Sequence, residues 1–209
     1  MKFAWICEKS IDRTTPVNAI PHIGPERPSW LSSLYRAQAA MDSGVRLAVR
    51  GESQLRLCPP TCAPGCSGCC SARSPLATAV EAAGAILHLC REGKGAVRTV
   101  LERVLAHESR GCPFLEGGLC SVYAMRPLSC RQLVVFGRAC HPGEDPARAR
   151  PGDVLTPLRG HSLRAYANIH QHLGAGPRAR MADLVRPLVR LDPDDVLRLL
   201  GEAPSKAAA

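Results

Sequence analysis

Aromatic residues are scarce in this 209-residue chain: two Trp, three Tyr and three Phe, scattered along its length. Binding of single-stranded nucleic acid leans on stacked aromatic side chains, so this scarcity counts against it. Long apolar runs are missing too, and none approaches the roughly 18 residues of a membrane span. Near the start, the apolar stretch 3–7 is broken by Glu8 and Lys9, short of the roughly 7–15 residues of an export signal. The expectation is a soluble, cytoplasmic protein with no membrane contact. GxSxG, HExxH and GxGxxG are all absent, and no carboxylate pair stands out for acid–base work. Glu92-Gly-Lys-Gly95 hints at a phosphate loop. However, a P-loop needs Gly where His88 stands and Ser or Thr where Gly95 stands, so that reading is rejected.

Lysine is rare as well: 23 of the 27 basic residues are Arg, and the formal net charge is +9. Ala, Gly and Pro are abundant alongside Arg, so part of the excess is compositional. A metal-stabilised nucleic-acid or protein-binding module, with nucleic acid or another acidic partner, is an alternative reading. Its support is the stretch 126–190, with 11 Arg against 4 acidic residues.

Cysteine is what the chain has in plenty: 11, an odd number. A reducing cytoplasm favours metal or thiol chemistry over a disulfide framework. Metal or cluster ligation is the reading adopted, with thiol redox chemistry and structural disulfides as alternatives. Cys58-x3-Cys62-x3-Cys66-x2-Cys69-Cys70 forms a first group, and Cys112-x7-Cys120-x9-Cys130-x9-Cys140 a second. Short cysteine spacings with Gly or Pro between them let thiolates converge on zinc or an iron–sulfur cluster. Cys66-x2-Cys69 is the only CxxC, so this is neither a zinc ribbon nor, with no βαβ pattern around it, a thioredoxin-like motif.

The remainder reads as helices around these groups. Residues 1–28, with four prolines, are expected to be an irregular leader that includes Cys7. A helical segment follows at 29–57. Trp30, Leu34, Ala37 and Met41 share one face of its first part, and residues 44–57 lie between strand and helix with helix preferred. Ser74-Pro75 looks like a helix start running to Arg91, with Cys90 on its apolar face. Val97, Val100, Leu101, Val104 and Leu105 make a second stripe. The two helices form an expected hairpin that returns the chain and brings the cysteine groups together. Residues 142–158 read as loop, 161–173 as helix, 183–190 as a helix kinked by Pro187, and Asp192-Pro193 as the start of a last helix. His170 and His172 do not share a helix face; neither they nor His161 are taken as ligands. Cys140-His141 is either a peripheral ligand pair or an ordinary loop.

The second group, "CPFLEGGLCSVYAMRPLSCR" at 112–131, resembles the YkgJ-like cysteine-cluster family, named for CxxCxxCC and described as chelating zinc or iron. Cys112-Pro-Phe-Leu115, Cys120-Ser-Val-Tyr123, Arg126-Pro127 and Cys130-Arg131 carry the resemblance, which covers about 58–140. Cys66-Ser-Gly-Cys69-Cys70 matches the end of the first motif, but Ala63 stands where a cysteine belongs. Cys62, one residue earlier, is preferred over Cys58 for that place. The resemblance implies Cys62, Cys66, Cys69, Cys70, Cys112, Cys120 and Cys130 as ligands, with Cys58 and Cys140 as further candidates. It implies zinc or iron as the metal, a 4Fe–4S cluster included, at one centre or two. Arg131 is expected to offset thiolate charge and donate hydrogen bonds around the site; Tyr123 and Phe114 are expected to pack in the core. Flagellin lysine methylases carry a related domain, so a methyltransferase-related enzyme is an alternative, although no region reads as a methyl-donor fold. The fold expected is mainly α: a small helical domain at 58–140 whose irregular cysteine-rich loops are organised by metal, with a C-terminal helical extension at 141–209.

Overall fold

Residues 28–63, 65–92, 100, 103, 111–174 and 180–201 are described in a computed structural model. The expected leader with Cys7, and all of the 97–105 stripe except Val100 and Arg103, lie outside the described residues. The architecture is mainly helical: α1 (Ser29–Arg56), α2 (Ala79–Arg91), α3 (Leu128–Arg131), α4 (Pro146–Ala149), α5 (Arg159–His170), α6 (Met181–Leu184) and α7 (Pro193–Gly201). Four two-residue strands accompany them: β1 (Leu76–Ala77), β2 (Leu115–Glu116), β3 (Leu119–Cys120) and β4 (Arg186–Pro187). β1 pairs antiparallel with β4, and β2 with β3.

α1 begins as its spacing dictates. Trp30, Leu34, Ala37 and Met41 are all buried on one face. The segment 44–57 continues the same helix to Arg56, where Leu57 closes it in the left-handed region at φ 54°. Helix wins there because the apolar positions find partners at helical spacing. Ala48 joins Phe136 and Leu155 in a small second core, with Val45 and Val49 packed beside it. Leu47, which would alternate with Val45 and Val49 in a strand, is exposed. Glu52 and Arg56 add an i,i+4 ion pair at 2.7 Å.

α2 starts later than Ser74-Pro75 suggests. Thr78 is its N-cap in a capping box: Glu81 N donates to Thr78 Oγ1 (3.4 Å), and Thr78 N donates to Glu81 Oε2 (2.8 Å). Upstream, residues 75–77 are drawn out by pairing. β1 lies on β4, and Leu188 N donates to the Pro75 carbonyl (2.8 Å). Those backbone groups therefore bond across the molecule instead of along a helix. α2 is buried almost all round, with Val80, Ala83, Ile86 and Leu89 in the core and Cys90 among them. It lies against α1 and α7. Gly84 permits the close approach of α1: a Cβ there would sit 2.3 Å from Leu34 Cδ2.

α5 packs along α1 through Ala165 and Ile169. α7 buries Val196, Leu199 and Leu200, and Trp30 Nε1 donates to the Leu199 carbonyl (2.8 Å). Residues 183–190 are not one kinked helix. α6 stops at Leu184, Pro187 lies in β4 and a 3-10 turn covers Leu188–Arg190. Proline has no N–H to continue the helix, and its extended backbone suits the strand. The expected loop 142–158 contains α4, capped by Asp145 accepting from Ala147 N (3.1 Å), and a 3-10 turn at Pro151–Asp153. No helix among the described residues is long and apolar enough to cross a membrane.

Glu81 joins these parts. It is 1% exposed. One carboxylate oxygen accepts from Thr78 N and Oγ1 (2.8 and 2.7 Å), the other from Leu128 N at the start of α3 (2.6 Å). Burial pushes its pKa up, against the pull of these hydrogen bonds and of Arg131. Glu81→Ala strips acceptors from buried backbone N–H groups on two elements. The expected loss is about 2–4 kcal/mol, combining the cost of an unsatisfied buried group with a lost cap. Chemical-denaturation midpoints check this, and an unshifted midpoint would show that the carboxylate does not anchor the fold.

Candidate metal centre

The cysteines sit on short, backbone-stitched pieces. Beyond α1, Thr61 N and Oγ1 both donate to the Val135 carbonyl (2.8 and 3.0 Å), and Val135 N donates to Cys62 Sγ (3.3 Å). Cys66 N closes a turn on the Ala63 carbonyl (3.0 Å), and Gly68–Cys70 is a 3-10 turn. The two cysteine segments are joined directly, by Cys112 N donating to the Cys70 carbonyl (2.8 Å). Gly111 makes that approach possible. Its φ is +99°, and a Cβ there would lie 3.0 Å from the Ser71 carbonyl oxygen. Cys120 ends the β2–β3 hairpin opposite Leu115. Cys130 rides on α3, held by Glu81 at Leu128 N and by Ser129 Oγ donating to the Leu76 carbonyl (2.6 Å).

These pieces enclose a cavity of about 290 Å³. Cys62, Cys66, Cys69, Cys70, Cys112, Cys120 and Cys130 all line it, with Arg73, Phe114, Tyr123, Arg126, Pro127 and Arg131 among the other walls. Cys58 lies apart, packed against the Phe136 cluster. Cys140 is off the cavity wall, behind Gly68, where a Cβ would come within 3.0 Å of Cys140 Cβ. None of the ten described cysteines is joined in a disulfide. Among the described residues, no three His, Cys, Asp or Glu side chains are already arranged to hold a metal ion. The thiols thus share a cavity without converging on a point. The donor chemistry nevertheless fits zinc or iron, both of which favour thiolates. The Cys70 thiol already hydrogen-bonds those of Cys112 and Cys69.

Burial and neighbouring sulfurs make four of these thiols, Cys62, Cys69, Cys70 and Cys130, hard to ionise. The hydrogen bond to Cys112, with burial and neighbouring sulfurs, takes the Cys70 pKa up to about 11. Burial, reinforced by the charge of Cys70, takes Cys130 up to about 12. Cys69 is raised by its hydrogen bond to Cys70 and by burial. Cys62 is raised by burial, partly offset by Val135 N–H. Positive charge opposes this crowding. Arg73 favours the thiolates of Cys69 and Cys130, and Arg150 that of Cys140. A bound cation would act in the same sense with greater charge, its uptake releasing protons.

Arg131 lines the cavity, but its hydrogen bonds go elsewhere. Nη1 pairs with Asp42 on α1 (2.8 Å), Nε donates to the Arg126 carbonyl (3.1 Å) and Nη2 to that of Ala124. It ties the cavity wall to α1. Phe114 is buried as expected, whereas Tyr123 is exposed at the cavity with Arg126 stacked on its ring at 4.5 Å. Its 3-10 turn buries Met125 instead. His161 abuts Gly44 on α1, its Nδ1 buried without a hydrogen bond, and His172 Nε2 contacts Ser33 Oγ (3.1 Å). Sequence reasoning missed Arg73 and Arg150. Arg73 follows Cys70 by three residues, a readable signal, while Arg150 reaches Cys140 only through the tertiary fold. Within the Arg-rich stretch, Arg138 and Arg150 pair with Glu144 and Arg180 with Asp183.

Residues 61–142 match the model of the CxxCxxCC family, described as a "putative zinc- or iron-chelating domain". This is the family that the cysteine motifs resemble. No curated protein and no solved structure matches the chain.

Gly111→Ala is expected to pry the segments apart, since a side chain at that φ costs about 1–3 kcal/mol and meets backbone on Ser71. Amide exchange at Cys112 should accelerate. Gly51→Ala, with nothing within 4 Å of its Cβ, should leave it unchanged. Equal exchange in both variants would disprove the role of Gly111.

Proposed function

We propose that this chain is a cysteine-cluster protein that holds zinc or iron through thiolates from its two cysteine segments. The ligands are Cys62, Cys66, Cys69, Cys70, Cys112, Cys120 and Cys130. One observation carries the reading: these seven thiols, from segments separated by 41 residues, wall a single cavity of about 290 Å³. The match of 61–142 to a zinc- or iron-chelating family description supports it. The metal supplies the counter-charge that crowded thiolates need, Cys62 and Cys66 being exposed and the other five half-buried. The protein supplies positioning: α3, through Glu81 and Leu128, sets Cys130; Cys112 N fixes its segment on Cys70; Arg131 locks the far wall to α1. Metal binding is thereby coupled to folding of the loops, since none of the described residues of 58–74 is buried. The iron form of the proposal includes a 4Fe–4S cluster, and its setting is a reducing cytoplasm.

The test is anaerobic purification, followed by zinc, iron and acid-labile sulfide analysis and a visible spectrum on one sample. Iron with sulfide and a broad visible band identifies a cluster; colourless protein with zinc identifies a zinc site. Neither metal, with all thiols titratable, would overturn the reading. Chelation should also lower the thermal midpoint while far-UV helicity persists below it. Free metal at about 1,000 times its Kd stabilises by about 4 kcal/mol, or roughly 8–16 °C at this chain length.

A further inference from the structure

We propose that the cavity also binds a small apolar monocarboxylate, with its carboxylate on Arg126 and its apolar body on the uncharged walls. The ligand shares the cavity of the metal-binding reading above but is held by groups other than the thiols, so the two stand or fall separately.

Space and charge on the cavity wall point to such a ligand. At about 290 Å³ the cavity comes close to the roughly 300–1,000 Å³ of small-molecule sites. A metal ion bonded to sulfur at about 2.3 Å takes up little of that space. Three guanidiniums line the walls, those of Arg73, Arg126 and Arg131, and no carboxylate does. Two of the three are already engaged. Arg131 gives Nη1 to Asp42 at 2.8 Å and its other donors to the carbonyls of Arg126 and Ala124. Arg73 Nη1 lies 3.5 Å from Asp145 Oδ1. Arg126 has no acidic partner among the described residues; its guanidinium lies over the Tyr123 ring, 4.5 Å from the centroid. It is half-buried, and it is the one charge on these walls that an anion can pair without displacing a partner.

The backbone that presents Arg126 is fixed from both sides. Tyr123–Met125 is a 3-10 turn, in which side chains three apart eclipse, so Arg126 falls over Tyr123. Met125 is buried, and its N donates to the Val122 carbonyl (2.8 Å). The Arg126 carbonyl accepts from Arg131 Nε (3.1 Å). Pro127 follows with its restricted φ, and Leu128 N is anchored on Glu81 (2.6 Å). A frame set before the ligand arrives lowers the ordering cost of binding. The stack on Tyr123 uses the face of the guanidinium and leaves the planar edge to pair a carboxylate through two parallel hydrogen bonds.

A single uncommitted cation selects a monoanion. A phosphate dianion asks for more positive charge or for converging backbone N–H groups, and the other two guanidiniums are already paired. Pro60, Phe114, Leu133 and Val134 are walls of the same cavity. They supply the apolar surface on which such pockets seat the body of a ligand.

The experiment is a ligand-observed NMR titration of the anaerobically purified full chain with benzoate, benzamide and inorganic phosphate, with metal content measured on the same samples. Benzoate should bind, and uncharged benzamide and phosphate should each bind at least roughly tenfold more weakly, the scale of a lost charge-assisted hydrogen bond. Arg126→Gln should weaken benzoate binding by a similar factor, roughly tenfold, with metal content unchanged. Arg126→Lys keeps the charge without the planar fork and should recover only part of the affinity. Tyr123→Leu, which removes the stack, should also weaken benzoate binding. Arg164→Gln, exposed on α5, should leave it unchanged. Far-UV circular dichroism confirms that each variant is folded. Benzoate binding no better than benzamide, or equally well to Arg126→Gln, would overturn the inference. So would phosphate binding more tightly than benzoate. Loss of metal in Arg126→Gln, with no benzoate binding to the wild type, would assign the guanidinium to the thiolates and overturn it as well. In each case the metal content of the wild type decides the broader reading independently.

Discussion

A carboxylate buried at the junction of two helices holds this structure in register. Glu81 has left water almost completely, which is costly for a charge unless its lone pairs are filled. They are filled by Thr78, which starts α2, and by Leu128 N, which starts α3. The same interaction therefore decides where the central helix begins and where the helix bearing Cys130 and Arg131 attaches. Because Thr78 caps, residues 75–77 stay extended and pair with the C-terminal segment around β4. The packing of the chain's end and the placement of a candidate ligand thus depend on one side chain.

Around that anchor, the cysteine segments are arranged against their own electrostatics. Free thiols pressed together resist ionisation, and burial adds to the effect for Cys62, Cys69, Cys70 and Cys130. Natural cores seldom gather so many polarizable, ionisable groups without compensation. Here it comes from backbone N–H at Cys62, from Arg73 and from Arg150. The scaffold is shaped for the same end. Gly111 lets one segment reach the carbonyls of the other, and Gly68 lets the loop around Cys140 close over the turn that carries Cys69. Arginine, abundant throughout the sequence, is partly consumed in this internal work at Arg131 and Arg150 and in the ion pair of Arg138 with Glu144.

Periodicity and capping chemistry made much of the helical frame legible in the sequence. The buried face of α1, the burial of Cys90 on α2 and the final helix after Asp192 follow from local spacing, and local spacing is what a one-dimensional pattern records. Less legible was anything whose backbone bonds across the chain. Ser74-Pro75 looked like a helix start until pairing with β4 and the Thr78–Glu81 box claimed those residues. The Pro187 region looked like a kinked helix until the same pairing took it. Tyr123 looked like a core residue because aromatic residues usually are, yet its turn buries Met125. The sequence of this chain by itself determined that it is mainly helical and that its cysteines fall in two groups, because both follow from residue type and short-range spacing. Only the tertiary structure decided that seven of those thiols share one cavity, that Cys58 stands apart, and that Arg150 is brought to Cys140. The shared cavity depends on long-range contacts through Glu81 and Gly111, whose partners lie far along the chain and leave no periodic trace in it, while Cys58 is set apart by packing on the Phe136 cluster and Arg150 is held by Glu144 and Asp153.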